Sequence, residues 1–208
     1  MTADHNGTAL ALGLVSAISV ALIVLDKRQR PSGRWRAATF AALLVWALAL
    51  PFFASKYLDL PRLDLRAALL VGLLVVVAAY ANQSLARHLG WDLSHFDQRL
   101  AIAMQTPWRT CALMVIVAPV CEECIFRGFL LEISLAWGIV AALAFTTSLF
   151  VAVHTDWASV PHLTIAGLLF AALAITSGGL AGPIAAHATA NLLGFVALRM
   201  SARRDEKA

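Results

Sequence analysis

One apolar stretch of the chain carries three charged side chains close together. It runs from Ala118 to Leu131 and contains Glu122, Glu123 and Arg127. A charged group at the centre of a bilayer costs roughly 3 kcal/mol on insertion scales, so such groups need partners and usually serve a function. The stretch therefore predicts a functional site inside a membrane protein.

The spacing of these three residues separates the two carboxylates on a helix. Glu123 and Arg127 are four residues apart, so they share a face and can form an ion pair. Glu122 projects about 100° away around the helix. One carboxylate is then neutralised and the other is available as a general base, although spacing alone does not decide which. The plainer alternative is a structural ion pair plus one glutamate that reaches toward the membrane surface.

Two later apolar runs each carry a histidine with a partner one helical turn away. Phe150 and His154 are four apart, and so are His187 and Asn191. A single histidine in a membrane helix is often a hydrogen-bonded packing residue. Together with a buried glutamate, however, these side chains supply a base and hydrogen-bond donors for an oxyanion. Those are the groups needed to activate water and stabilise a tetrahedral intermediate.

The three motifs, in this order, resemble a known family. Glu-Glu-x-x-x-Arg at 122–127, Phe-x-x-x-His at 150–154 and His-x-x-x-Asn at 187–191 resemble the CPBP family of CAAX prenyl endopeptidases and bacteriocin-processing enzymes, also called the Abi family. Pro119 and the Phe126-Arg127-Gly128 sequence add to the resemblance, which covers about residues 110–200. The resemblance implies a glutamate-dependent intramembrane protease built as a helical bundle.

Carried over to this chain, the family motifs assign roles to the acidic stretch. Glu122 would be the base that activates water, and Glu123 and Arg127 would support it. His154 would help to bind the water or to position the base. These roles are implications of the resemblance and do not follow from spacing.

The remaining motif residues would complete the site. By the same resemblance, His187 and Asn191 would form the oxyanion site, and Phe150 would line the substrate channel. A second interpretation is a zinc site with Glu122, His154 and His187 as ligands and one open position. We favour the interpretation without a metal or other cofactor.

Other chemistries find less support in the sequence. Cys121 and Cys124 flank the acidic pair, and this spacing suggests a redox pair or half a metal site. Within an apolar helix, we favour a role as small packing residues. His-Glu-x-x-His, Gly-x-Ser-x-Gly and Gly-x-Gly-Asp do not occur in the chain, which argues against a site-2-type zinc protease, a serine nucleophile and a presenilin-type aspartyl site.

The composition indicates that the bilayer is part of the solvent. The chain has 208 residues, of which 61% are hydrophobic and 13% are charged, whereas about 25% of residues are charged in a soluble domain. The net charge of +4 does not indicate nucleic acid, because the basic residues lie between apolar runs and at the C-terminus. We predict a single integral membrane domain over residues 1–208, with the catalytic core at 110–200.

Seven apolar runs are long enough to span a membrane. They cover residues 8–25, 37–54, 66–81, 110–131, 136–154, 161–176 and 182–200. The fold class predicted is therefore all-α, a polytopic transmembrane bundle of about seven spanning helices. Between the third and fourth runs, residues 82–109 place leucines on one stripe, which predicts an interfacial amphipathic helix. An ordinary helix packed on the bundle is the alternative.

Charge bias orients the predicted bundle. The first loop, residues 82–109 and the C-terminal tail are basic, and seven helices place all three on one side. The positive-inside rule makes that side cytoplasmic, with the N-terminus outside and the C-terminus in the cytoplasm. This topology places Glu122 at mid-membrane, His187 toward the outside and His154 at the cytoplasmic end of its helix. For them to converge, we expect the helix to continue through Trp157, its boundaries to shift, or the topology to differ.

The function expected is hydrolysis of a peptide bond in a membrane-embedded or membrane-anchored protein or peptide. The lipid bilayer is the other partner, and the resemblance to compact prokaryotic relatives places the protein in a prokaryotic inner or plasma membrane. Two alternatives stay open. One is a non-catalytic immunity or scaffold protein, although such a protein could replace the buried charges with apolar groups. The other is a small transporter with a Glu/His proton relay, although no internal repeat is visible.

Overall fold

A computed structural model describes residues 63–94, 111–154 and 157–205. Within this part of the chain the regular elements are all helical, which agrees with the all-α prediction. The first two predicted spans, at 8–25 and 37–54, lie outside the described residues. Most of the predicted amphipathic helix lies outside them as well.

The first described helix, α1, spans Leu65–His88. The Asp64 side chain begins it by accepting a hydrogen bond from the Ala67 N–H at 3.0 Å. Gly90, with a φ of 68°, follows its end. The predicted boundary at residue 81 is wrong, because the helix continues to His88. The last turns contain polar residues, and one of them, Asn82, has a hydrogen-bonding partner on another element.

The acidic stretch lies in a composite helix that changes winding several times. It comprises a π-helical segment Leu113–Val117, α2 at Ala118–Glu123, a second π-helical segment Cys124–Leu130, α3 at Leu131–Ser134 and a 3₁₀ turn Leu135–Trp137. Short π-helical segments inside helices frequently mark functional sites. Here the two π segments enclose the turn that carries both glutamates.

Three more helices complete the described bundle. α4 spans Ile139–His154, α5 spans Val160–Ser177 after a 3₁₀ turn Trp157–Ser159, and α6 spans Ala181–Asp205. The last three predicted runs match these helices within a few residues, except that α6 continues beyond residue 200.

Contacts between the helices fix their directions. Asn82 near the end of α1 bonds to Ala158 just before α5, so α1 and α5 run in opposite directions. Asn191 on α6 bonds to Met114 at the start of the composite helix, whereas Leu180 before α6 lies near Gly128, so these two are also antiparallel. One end of the bundle, where α1 and α4 end and α5 begins, is called the site end below.

The described helices have the length and surface of membrane spans. Leu65–His88, Trp157–Ser177 and Ala181–Ser201 are long and apolar enough to cross a bilayer, and Ile139–His154 is a shorter apolar helix. Large apolar side chains on α1, such as Leu70 and Val77, are more than half exposed. Such surfaces suit lipid, so the protein is an integral membrane protein. The number of seven spans is not confirmed by the residues described.

We expect Gly72→Ala to destabilise the bundle. A Cβ at Gly72 would lie 2.7 Å from the Ala186 carbonyl oxygen and 2.8 Å from Thr189 Cβ, and a backbone atom cannot move aside alone. Separating α1 from α6 should cost about 2 kcal/mol, as overpacking usually does, and thermal unfolding in lipid nanodiscs measures the loss. Gly194→Ala is the control, since a Cβ there meets no atom within 4 Å. Equal melting temperatures for the two variants would contradict the close approach of α1 and α6.

Candidate functional site

The site begins with a charged pair that is sealed from solvent. Glu123 has a side-chain exposure of 0% and Arg127 of 1%, and Arg127 Nη1 donates to Glu123 Oε1 at 3.2 Å. Arg127 Nε lies 3.2 Å from Glu123 Oε2, close enough for an ion pair although the two atoms are not aligned for a hydrogen bond. Arg127 Nη2 donates to the Gly167 carbonyl at 3.1 Å. The ion pair predicted from the spacing is thus present, and α5 supports it.

His187 connects the two glutamates. Its Nδ1 lies 2.7 Å from Glu123 Oε1, and its Nε2 lies 3.9 Å from Glu122 Oε2. An ionised carboxylate only accepts hydrogen bonds, so Nδ1 carries a proton and donates a hydrogen bond to Glu123. One imidazole ring on α6 is therefore fixed by the buried glutamate and directs its other nitrogen toward the second glutamate.

His154 approaches Glu122 from another helix. Its Nε2 lies 3.9 Å from Glu122 Oε2, and its Nδ1 lies 2.7 Å from the Phe150 carbonyl oxygen. A carbonyl oxygen also only accepts, so Nδ1 is again the donor. Both histidines thus direct Nε2 to the same carboxylate oxygen. At 3.9 Å these are not direct hydrogen bonds, but a water molecule can bridge two polar atoms at such a distance.

The two glutamates differ in their surroundings as well as in their partners. The Glu122 side chain is 29% exposed, against 0% for Glu123. Within the described part of the chain, Glu122 Oε2 has no hydrogen-bond partner. Glu122 is therefore the more exposed carboxylate, although its Oε2 atom is itself buried, whereas Glu123 is committed to the charged pair and to His187.

The structure shows how His154 reaches Glu122, although the sequence predicted the two residues at different depths in the membrane. α4 ends at His154, and the 3₁₀ turn containing Trp157 is a separate element, so the expected extension of the helix is wrong. The His154 ring instead folds back along its own helix, because Nδ1 bonds to the carbonyl of Phe150 one turn earlier. This brings Nε2 down from the site end toward Glu122.

Aromatic rings surround the charged pair and the histidines. The Arg127 guanidinium lies 4.5 Å from the Phe150 ring centroid and 5.5 Å from that of Phe170. Phe170 also stacks on His187 with centroids 4.9 Å apart and ring planes 19° apart. Phe150 is 1% exposed and lines the cavity described below, and its ring centroid lies 4.7 Å from that of His154 and 6.1 Å from that of His187.

Two contributions from α5 to the site do not follow from the sequence motifs. They are the Phe170 ring and the Gly167 carbonyl, and both lie on a buried face. A Cβ at Gly167 would lie 2.8 Å from Thr147 Cγ2, so glycine allows α5 to approach α4 closely. The Gly-x-x-x-Ala spacing of Gly167 and Ala171 is a known signal for close packing of membrane helices, and it could have identified this contact.

A cavity of about 840 Å³ adjoins these residues. Its size falls in the range of small-molecule sites, roughly 300–1,000 Å³. Asn191, one turn after His187, lines it and donates from Nδ2 to the Met114 carbonyl at 3.2 Å. The structure thus brings all predicted site residues to one region. The site residues that line the cavity are Glu122, Phe150, His154, His187 and Asn191.

Metal ligation was the alternative predicted for the same side chains. Among residues 63–94, 111–154 and 157–205, no three His, Cys, Asp or Glu side chains form a group suited to hold a metal ion. Cys121 and Cys124 are each 2% exposed and form no disulfide. Their burial fits the predicted packing role. That the site works without a metal or other cofactor stays a prediction.

Comparison with known proteins gives two matches. Residues 104–193 match the family model described as "Rce1-like: Type II CAAX prenyl endopeptidase Rce1-like". The chain is also 32% identical over 93 residues to an uncharacterized 24.3 kDa protein of Escherichia coli. That alignment covers 42% of this chain and 43% of the relative, so the chain spans less than half the length of the relative it matches. No solved structure matches.

Proposed function

Residues 104–193 form an Rce1-like domain, which confirms the resemblance to the CPBP family, and from this premise we propose that the protein is an intramembrane endopeptidase. It hydrolyses a peptide bond of a membrane-associated protein or peptide with water activated by Glu122. The observation that supports this best is the position of Glu122 Oε2, 3.9 Å from Nε2 of both His154 and His187. A carboxylate oxygen that has no hydrogen-bond partner among the described residues and lies between two oriented imidazoles is suited to hold and deprotonate water.

The reaction uses Glu122 as the proton carrier. Water between Glu122 and His154 loses a proton to the carboxylate as its oxygen bonds to the substrate carbonyl carbon. The tetrahedral intermediate then expels the amine as the carbon–nitrogen bond breaks, and Glu122 returns the proton to that nitrogen. His154 orients the water through Nε2, because its Nδ1 is held by the Phe150 carbonyl.

His187 stabilises the negative oxygen that forms. Because Nδ1 donates to Glu123, Nε2 can donate to an oxyanion when the ring carries both protons. Glu123 is 2.7 Å away and stabilises that positive ring, as the buried aspartate does in serine protease triads. Asn191 contributes its amide from the next turn of α6. Glu123 and Arg127 are thus positioning residues that act through His187.

The site end of the bundle suggests where cleavage occurs. Trp157, which follows His154, is 88% exposed, and exposed tryptophans are typical of membrane–water interfaces. We therefore propose cleavage near the membrane surface, in a substrate that is embedded in or anchored to the bilayer. The charge bias of the sequence supports a cytoplasmic position for this surface, with the N-terminus outside, and we propose a prokaryotic inner or plasma membrane.

The test is cleavage of lipid-anchored fluorescent peptides by the full chain in proteoliposomes. We expect hydrolysis that is unchanged by a strong zinc chelator, because the proposed reaction uses a carboxylate and imidazoles alone. Mass spectrometry of the products locates the bond that is cut.

Two results would contradict parts of this proposal. Loss of cleavage with chelator and its recovery with zinc would replace the metal-free mechanism by zinc ligation through Glu122, His154 and His187. No cleavage by folded protein would favour a scaffold, and a substrate-dependent proton flux into the vesicles would favour a transporter.

A further inference from the structure

Two neighbouring amide side chains on α1 lie in the wall of the cavity. Asn82 and Gln83 line it together with Glu122 and His187. They precede residues 104–193, so the matched domain does not include them. The reaction proposed above also gives them no part.

Asn82 has a fixed orientation. Its Nδ2 donates to the Ala158 carbonyl at 2.6 Å and lies 3.3 Å from His162 Nδ1. Because a carbonyl oxygen only accepts, the nitrogen and the oxygen of the Asn82 amide cannot be exchanged. Ala158 lies four residues after His154. α1 is thereby attached to the segment that follows a site histidine.

One polar atom of each of these two side chains has no hydrogen-bond partner in the described part of the chain. Asn82 Oδ1 and Gln83 Nε2 are buried, and neither has a hydrogen-bond partner within the residues described. A buried group without a partner costs about 1–3 kcal/mol. Native proteins retain few such groups, and each one calls for an explanation. One of these atoms is an acceptor and the other is a donor, which is the complement of a peptide group.

We propose that Asn82 and Gln83 are substrate-positioning residues. Asn82 Oδ1 accepts a hydrogen bond from a main-chain N–H of the substrate, and Gln83 Nε2 donates one to a main-chain carbonyl. This rests on the proposed peptidase function and adds a substrate class to it. Main-chain groups of a helix are already paired with each other, so the substrate segment beside α1 must be extended or unwound.

Binding of uncleaved peptide tests the role of Gln83. The Glu122→Gln variant in nanodiscs is titrated with the lipid-anchored fluorescent peptides used for cleavage, and anisotropy gives Kd. Adding Gln83→Met, which keeps the side-chain length, should raise Kd about tenfold. Adding Leu85→Met, in the same turn but outside the cavity, should leave it unchanged. An unchanged Kd with Gln83→Met would overturn the proposal, as would failure of all these peptides to bind.

Replacing peptide amides by esters tests Asn82 on the substrate side. An ester lacks the N–H, so an ester at one peptide position should weaken binding to the Glu122→Gln variant. With the ester at that position, adding Asn82→Leu should cause no further loss of affinity, because the hydrogen bond is already missing. If Asn82→Leu does not fold, the ester scan with Glu122→Gln decides, and an equal Kd at every position overturns the role of Asn82.

Turnover separates this proposal from the function on which it rests. In protein that retains Glu122, Gln83→Met should raise KM about tenfold with kcat unchanged. This is the expected result when the lost interaction binds the substrate and the transition state equally well. Cleavage with an unchanged KM would overturn the positioning role alone. Absence of cleavage would overturn the peptidase function itself.

Discussion

Replacing Glu122 with glutamine should lower the rate of peptide hydrolysis about 10³-fold, the usual contribution of a general base. Glutamine has nearly the same shape but cannot take a proton from water. The change should leave the melting temperature in nanodiscs nearly unaltered, because Glu122 is 29% exposed and lies 3.9 Å from both histidines, beyond hydrogen-bond distance. The measurement is kcat/KM in proteoliposomes for the bond that the original protein cuts.

A second glutamate provides the control for this prediction. Glu132 lies exposed on α3, so Glu132→Gln should retain full activity. If Glu122→Gln cuts the peptide as fast as Glu132→Gln, Glu122 is not the base. The reaction would then need another proton acceptor, and the cavity would need a new assignment.

Arg127→Met should lower the melting temperature by about 10 °C. Removing one partner from a buried ion pair costs about 3–5 kcal/mol, since the other charge is left unpaired, and each kcal/mol corresponds to about 2–4 °C in a chain of this size. Here the charge left without its guanidinium would be that of Glu123, whose exposure is 0% and which would keep the hydrogen bond from His187. Thermal unfolding in nanodiscs measures the effect, and Arg66→Met, at an exposed position on α1, is the control.

A double variant distinguishes loss of the ion pair from loss of packing. Adding Glu123→Gln to Arg127→Met removes the unpaired charge, so stability should partly recover. Activity should not recover, because the neutral amide introduced by Glu123→Gln cannot stabilise a charged His187. If the double variant is no more stable than Arg127→Met, the unpaired charge is not the cause of the loss, and the missing contacts of the guanidinium with the aromatic rings account for it.

Local spacing predicted the elements and one contact of the site. The Glu123–Arg127 pair follows from a separation of four residues, and three of the helices follow from apolar runs bounded by glycine, proline and polar residues. These features depend on neighbours in the sequence, where helix geometry leaves little freedom. The boundary of α1 was missed because Asn82, which looks like the start of a polar segment, has its partner at Ala158 on another element.

The convergence of the histidines depends on features that spacing does not contain. Depth along separate helices predicted His154 and His187 at different levels of the membrane. Both reach Glu122 because a backbone carbonyl turns the His154 ring back along α4, and because Glu123 holds the His187 ring. The stacking of Phe170 on His187 likewise depends on how α5 approaches α6.

The bond from Asn82 to the Ala158 carbonyl also changes what counts as the working unit of this protein. The motifs occupy residues 122–191, and the family model ends its match at residue 193. Yet a helix that comes before this segment forms one wall of the cavity and is tied to the turn after His154. A survey that ranks relatives by the motif segment alone would therefore leave out the helix that forms this wall of the cavity.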